Sequence, residues 1–297
     1  MTRSDPPADV LEFVADRVGR PRPVSLVQLD PRGRVFGVDV EDRSGAVRPI
    51  VIKRFDAPRL FEQERGVLAD WFARGGELLG GARVPELLAA NASLQTLVMT
   101  RVAGAPVGDE GSENGELAEL HRAAGRCLAA LHQLPVADRD PMPLVQALAR
   151  RHRAWSRACE QALAPPEQRV VRTLAPSPAL FDGAVRVPCH RDFTPNNWLW
   201  DGRTLALVDF EHARLDLALV DLAKLVAASW HSDRSLELAF FEGYGRQLTT
   251  RERTQLRSAL MLHGVASLAW GLRHQDSGFV ALGRRALALA ETWSPAD

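Results

Sequence analysis

Cys189-His190-Arg191-Asp192-Phe193-Thr194-Pro195-Asn196-Asn197-Trp198-Leu199-Trp200, followed by Leu207-Val208-Asp209-Phe210-Glu211, is the stretch that decides how this chain reads. Asp192 follows His190, Asn197 comes five residues later, and Asp209 closes the apolar run Leu205-Ala206-Leu207-Val208. That order is the layout of a phosphoryl-transfer site. One carboxylate meets the attacking hydroxyl, while an amide and a second carboxylate hold Mg²⁺ against nucleotide phosphates.

The residue types suit that chemistry. Transfer of a γ-phosphoryl group from ATP or GTP is mainly positioning and charge neutralisation, so a protein supplies oxygen ligands for a hard cation and an acceptor for the nucleophile's proton. Asp192 is the candidate acceptor. Asn197 offers a neutral carbonyl oxygen beside the carboxylate of Asp209, which stands at the tip of a predicted buried strand. A plain hairpin would also use Asp and Asn in its turn. Asp201-Gly202 reads as such a turn, joining a strand at 197–200 to one at 204–208. The combined spacing favours the catalytic reading.

At 297 residues the chain is long enough for two lobes. Lys plus Arg equals Asp plus Glu at 37 each, so no overall field favours nucleic acid or an acidic membrane surface. The first residues lack the apolar core of a signal peptide and no run reaches transmembrane length, so a cytoplasmic location is expected. Cys127, Cys159 and Cys189 are scattered without the spacing of a zinc site or a disulfide framework. A monomer or weak dimer is expected.

Only two of the 37 basic residues are lysines, Lys53 and Lys224. A chain so biased toward arginine keeps lysine where a compact point charge differs from a guanidinium fork, as it does on phosphate oxygens. Lys53 lies in the strand-like run Pro49-Ile50-Val51-Ile52-Lys53-Arg54-Phe55 and is assigned to phosphate. Lys224 is expected to be an ordinary surface residue. Residues 57–75 show helical spacing, with Leu60, Phe61, Val67, Leu68 and Trp71 in one stripe. Glu64 shares that stripe, and an inward glutamate needs a partner. It is assigned to Lys53.

The expected fold is α+β: a small antiparallel sheet with a helix at residues 1–103, then a larger, mainly helical lobe at 104–297. Strands are expected at 24–29, 34–41, 48–54, 83–89 and 94–100. Helices are expected at 8–19, 115–134, 142–163, 165–175, 216–231, 234–247, 250–274 and 277–293. Ligand binding is expected between the two lobes. Leu97-Val98-Met99-Thr100-Arg101-Val102 would become the connector, where the Thr100 carbonyl and Val102 amide meet a purine flanked by Met99. The loop 30–37 carries Gly33 between Arg32 and Arg34, and is not a Gly-rich phosphate loop.

The chain resembles the aminoglycoside phosphotransferase family of small-molecule kinases, which share the bilobal protein-kinase-like fold. The resemblance is carried by Lys53, Glu64, Met-Thr-Arg-Val-Ala-Gly at 99–104, Leu-Ala-Ala-Leu-His at 128–132, the segment 190–199, Val-Asp-Phe-Glu at 208–211 and Asp-Leu-Ala at 221–223. It implies that Asp192 is the catalytic base, that Asn197 and Asp209 carry magnesium, and that ATP or GTP is the donor. Two departures stand out. Arg191 replaces the family's usual Gly, and Leu215-Asp216-Leu217 displaces by one the usual Gly-Asp pair, leaving the role of Asp216 open. Asp221 is expected to cap the following helix and brace the catalytic loop. A protein kinase would have lysine at the position of Thr194 and a long segment after Asp209; here eleven residues separate Asp209 from Asp221.

The acceptor is less legible. Polycationic aminoglycosides call for an acidic pocket, whereas residues 230–297 hold more Arg than acid. Asp109, Glu110, Glu113, Glu116 and Glu119 could face a cation, or simply mark a helix N-terminus. His212, His231 and Asp233 are placed near the acceptor by chain position. An antibiotic, whether aminoglycoside, nucleoside or macrolide, is the expected substrate, with a metabolic sugar or amino-alcohol kinase as alternative. A nucleotide-binding pseudokinase is a third reading.

Overall fold

In the computed structural model, residues 5–72, 80–107 and 114–294 are described. They form two compact units: Met1–Val107 with Asn197–Ala213, and Gly108–Asn196 with Arg214–Asp297. The second excursion into the first unit is the hairpin that carries Asn197 and Asp209. A single boundary at 103/104 therefore divides the chain differently from its contacts.

The first unit begins with helix α1 (Ala8–Arg17), then short strands β1 (Arg20–Pro21) and β2 (Val27–Gln28). Strands β3 (Val35–Glu41) and β4 (Val47–Arg54), helix α2 (Pro58–Asp70), and strands β5 (Leu87–Asn91) and β6 (Thr96–Thr100) complete an antiparallel sheet in the order β1-β3-β4-β6-β5, with β2 on β3. Alternation decides which side chains face which way. Phe36, Val38 and Val40 of β3, Ile50 and Ile52 of β4 and Val98 of β6 form one buried face with Val10, Val14 and Val18. Lys53, one residue beyond Ile52, leaves from the opposite face and meets α2 there. Of the expected strand 24–29 only Val27–Gln28 pairs as strand, because the 3₁₀ turn at Pro23–Ser25 takes up Val24 and Ser25.

A two-residue strand β7 (Ala105–Pro106) ends this stretch. The second unit follows with α3 (Asn114–His132), α4 (Leu144–Cys159), α5 (Pro165–Thr173), the single turn α6 (Pro178–Phe181) and strand β8 (Val187–Cys189). Strands β9 (Trp198–Trp200) and β10 (Leu205–Leu207) return to the first unit as a hairpin around Asp201-Gly202, and β7 pairs with β9. The rest belongs to the second unit: β11 (Arg214–Asp216), α7 (Leu219–Leu225) continued by a π-helical turn at Val226–Trp230, α8 (Arg234–Tyr244), α9 (Thr250–His274) and α10 (Ser277–Thr292).

Sequence and structure explain these ends. Asp233 caps α8 through Ser235 N–H, and Gly245 ends it in the left-handed conformation. Thr249 and Glu252 form a reciprocal capping box at the start of α9. Leu256, Leu260, Val265 and Leu268 bury α9 inside its unit, where α4, α7 and α10 pack against it. The helix expected from 216 starts at 219 instead, because Arg214, Leu215 and Asp216 pair with Cys189, Pro188 and Val187. No helix among the described residues is long and apolar enough to cross a membrane.

Helices α3 and α8 touch backbone to backbone at Gly125 and Gly243. A Cβ at Gly125 would collide with the carbonyl oxygen of Phe240, and one at Gly243 with that of Arg122. Neither obstacle is a flexible side-chain end, so the helices would have to separate. Gly125→Ala and Gly243→Ala are each expected to lower unfolding free energy by about 1–3 kcal/mol, read from urea midpoints.

Candidate active site

Lys53 is the centre of the first unit's polar cluster. Its Nζ lies 2.5 Å from Glu64 Oε2, 2.6 Å from Asp209 Oδ1 and 3.2 Å from Glu211 Oε2. It also sits 4.9 Å from the ring centre of Phe55. Glu64 is 1 % exposed and its other oxygen accepts from Phe210 N–H at 3.3 Å. The pairing of Lys53 with Glu64 expected from sequence is therefore present. Two further carboxylates join it, of which Glu211 gave no separate signal in the sequence.

Charge in this cluster is uneven: one ammonium faces three carboxylates. Burial works against the charge of Lys53, but Glu64, Asp209 and Glu211 outweigh it and push its pKa above the usual lysine value. Burial raises Glu64; Lys53 opposes, Asp209 and Glu211 add to burial, and the carboxyl reaches about 7. Both directions hold together because the ammonium is shared.

Asp209 has φ 69°, a left-handed value that a non-glycine residue adopts only when its surroundings hold it. Phe210 behind it is fully buried and packs edge-on to Phe72 at 5.2 Å. Asn197 is buried at 8 % exposure, and its carbonyl accepts from Val208 N–H at 3.1 Å, so the hairpin ties Asn197 to the approach of Asp209. Carboxylate oxygens with one amide make a donor set for a hard divalent cation, and the ligand atoms of Glu64, Asp209 and Glu211 lie within 4.8 Å of one another.

On the connector, Met99 is buried in β6 opposite Val51 and Leu87. Thr100 N–H donates to the Glu86 carbonyl at 2.9 Å, and Thr100 Oγ1 accepts from Glu86 N–H at 2.9 Å. The Val102 amide donates to nothing among the described residues. In the loop at 30–37, Asp30 accepts from Arg34 and Val35 N–H at 2.7 Å each, so a carboxylate organises its backbone.

The second unit holds Asp192. Its loop hangs on Asp221, fully buried in α7, which accepts from His190 N–H at 3.0 Å and Arg191 N–H at 2.5 Å. His132 Nε2 lies 3.2 Å from Asp221, and its Nδ1 lies 2.9 Å from Tyr244 Oη. Since a carboxylate only accepts, Nε2 carries the proton and Nδ1 receives the tyrosine hydroxyl. Asp221 thus braces the loop as expected. It does not cap α7, whose N-cap position is Ala218.

Arg191 also has a left-handed φ, 64°. Its guanidinium lies 2.9 Å from Asp216, which is 2 % exposed and takes a two-pronged pair from Arg151 at 2.6 Å on each oxygen. Burial disfavours the charge of Asp216, but Arg151 and Arg191 outweigh it and lower its pKa. Asp216 thereby anchors the loop that carries Arg191 and Asp192. Lys224, expected on the surface, instead contacts Asp192 Oδ1 directly and is 24 % exposed. Its placement one helical turn from Asp221 turns it toward the loop.

His212 is 3.7 Å from Glu211. His231 follows the π turn with its Nδ1 shielded and unpaired among the described residues, and Asp233 serves as the α8 cap. Glu119 pairs with Arg122 and Arg126; Asp109, Glu110 and Glu113 lie outside the described residues.

The family model described as the phosphotransferase enzyme family matches residues 36–257. The chain belongs to that family. Its reaction class is phosphoryl transfer to a hydroxyl of a small molecule, and the kinase-like α+β fold agrees. One similar structure is the gentamicin complex of APH(2")-IIa, 14% identical, with TM-score 0.67 over 96% of this chain and 97% of that one. Another is macrolide 2'-phosphotransferase MphH from Brachybacterium faecium, 17% identical, with TM-score 0.62 over 97% and 98%. A third is choline kinase LicA from Streptococcus pneumoniae, 13% identical, with TM-score 0.66 over 96% and 98%. At such identities the likeness is one of fold. Comparison with curated protein sequences returns no match.

The carboxylate excess around Lys53 sets two expectations. Lys53→Met, which leaves Glu64 buried without its cation, is expected to cost about 3–5 kcal/mol of stability at neutral pH. The pH response has a definite sign. Between the ordinary 4.5 and about 7 the folded protein keeps a proton on Glu64 that the unfolded chain has released. Stability from this group therefore falls as pH rises through that window. Urea midpoints against pH should show that fall in the wild type and its loss in Glu64→Gln.

Proposed function

We propose that this phosphotransferase moves the γ-phosphoryl group of ATP or GTP, with Mg²⁺, onto a hydroxyl of a small-molecule antibiotic. The observation that carries the reading is Lys53 held by Glu64 and Asp209, on a chain whose Asp192, Asn197 and Asp209 follow the family order. In this reading Lys53 steadies the phosphates once they displace part of its carboxylate shell, and Glu64 keeps it aimed. Asn197 and Asp209 hold the metal, which neutralises phosphate charge when bound. The Thr100 carbonyl and the Val102 amide pair with the purine edge, and Met99 lies beside the base.

Asp192 orients the acceptor hydroxyl and accepts its proton. The hydroxyl oxygen bonds to the γ-phosphorus as the bond to the nucleoside diphosphate breaks. The charges around the catalytic loop favour an acceptor with few ammonium groups. Asp216 is shared by Arg151, Arg191 and Arg214, and Asp192 already has Lys224. A macrolide- or nucleoside-type hydroxyl fits these surroundings better than a polycationic aminoglycoside.

The test is mass spectrometry of pooled hydroxylated antibiotics and metabolites after incubation with Mg-ATP or Mg-GTP. A phosphate gained with wild type alone, and absent with Asp192→Asn, is the expected outcome. Asp192→Asn should retain nucleotide affinity while losing transfer by about 10²-fold or more. Asp209→Ala should lose Mg-nucleotide affinity as well. Unchanged transfer by Asp192→Asn would remove the assignment.

A further inference from the structure

Strand register assigns side chains to the two faces of the first unit's sheet. Residues paired across antiparallel strands share a face, and so do residues two apart along one strand. Val35 pairs with Lys53, Gly37 with Val51, and Val27 with Gly37. Val27, Val35, Gly37 and Val51 therefore lie on the face from which Lys53 leaves. Phe36, Val38, Ile50 and Ile52 are buried on the other. The Lys53 face is thus an apolar shelf with an ammonium at one end.

Gly37 interrupts that shelf. It is buried in the middle of β3 and has no left-handed φ, so the backbone gives no reason for glycine there. The reason is a neighbour. A Cβ at Gly37 would stand 3.2 Å from Arg101 Nη1, 3.2 Å from Val27 Cγ2 and 3.4 Å from Leu29 Cδ1. The guanidinium of Arg101 fills the notch that the glycine leaves.

The backbone of Arg101 is fixed, its N–H donating to the Pro49 carbonyl at 3.3 Å. Its side chain is exposed and makes no ion pair or hydrogen bond among the described residues. Laid against Val27 and Leu29, it gives up water on one side without gaining an acceptor. Arg101 also stands between Thr100 and Val102, whose backbone groups are given to the purine edge. A base held by its edge there turns one flat side to the shelf, and at Gly37 that side meets a guanidinium. A planar, weakly hydrated cation stacks well on an aromatic ring.

Resting on the nucleotide-donor reading above, we infer that Arg101 is a base-binding residue: its guanidinium, seated in the notch at Gly37, stacks on the purine ring. The contact is to the π face, so it serves adenine and guanine alike. It adds nothing at the phosphates, which fall to Lys53, two residues along β4 from Val51.

The experiment is calorimetric titration of the full-length wild type, Arg101→Ala and Arg101→Met, with urea midpoints measured alongside. The ligands are AMP, ADP and ATP with Mg²⁺, their guanine counterparts, and the 2′,3′-dideoxy triphosphates. For the base that wild type binds, Arg101→Ala should weaken mono-, di- and triphosphate by one common factor. That factor should be about 5- to 30-fold, the size of a desolvated cation–π contact. It should hold for the dideoxy triphosphate too, with the urea midpoint unchanged because the side chain is exposed. Arg101→Met keeps the reach without the cation and should stay below wild type. Wild-type affinity in Arg101→Ala, or full recovery in Arg101→Met, overturns the inference. So does a loss that grows with the number of phosphates, which puts the guanidinium on them. A loss that vanishes with the dideoxy nucleotide puts it on the ribose and overturns the inference as well. In each of these outcomes nucleotide binding by wild type leaves the donor reading standing. No binding of either triphosphate by wild type overturns that reading and this inference with it.

Discussion

A single ammonium shared by three carboxylates is the constraint on which the first unit turns. Left alone, a buried glutamate and a buried lysine would each shed their charge, since the interior disfavours ions. Their direct contact keeps Lys53 charged and sets it where β4 and α2 meet. The remaining carboxylates then make the cluster negative, and that excess is a standing preference for a cation. A buried ion pair is weak evidence for stability, since an apolar pair of similar volume often does as well.

The second unit solves a different problem, that of holding a short loop in an unfavourable backbone. Arg191 in the left-handed region would relax if free, and three contacts prevent it. Its amide is bound by Asp221, its guanidinium is drawn to Asp216, and Asp216 is itself gripped by Arg151. Asp221 in turn is oriented by His132, which Tyr244 orients. The amide bond to Asp221 and the ion pair with Asp216 hold the residue from both ends, so the strain at Arg191 is offset by the contacts that fix it.

Local pattern made much of this legible. Phe36, Val38 and Val40 alternate as a half-buried strand must, and Thr249 with Glu252 announces a helix start. The Lys53–Glu64 pair was readable because an inward glutamate on a helical stripe needs a cation, and few lysines were on offer. What the sequence concealed was settled by distant partners. Arg214–Asp216 became a strand because β8, more than twenty residues earlier, supplies its ladder. Lys224 read as a surface residue because its partner is 32 positions away, and nothing local distinguishes a helical lysine facing water from one facing a carboxylate. Its rarity was the one available signal. Applied to Lys53, the same argument led to the pairing with Glu64.

Overall neutrality conceals opposite local charges, and these bear on the ligand more than the sum does. The cluster at Lys53 has a surplus of carboxylate, while Asp216 is outnumbered by Arg151, Arg191 and Arg214. Equal totals of acid and base exclude a long-range field that would steer a strongly charged partner. They do not exclude short-range selection, which depends on charges within a few ångströms and is little screened when those charges are buried. A carboxylate already in contact with an ammonium is poor ground for a second one. In the second unit both Asp192, against Lys224, and Asp216, among three arginines, are carboxylates already matched by cations, so their local field differs in sign from that of the cluster at Lys53.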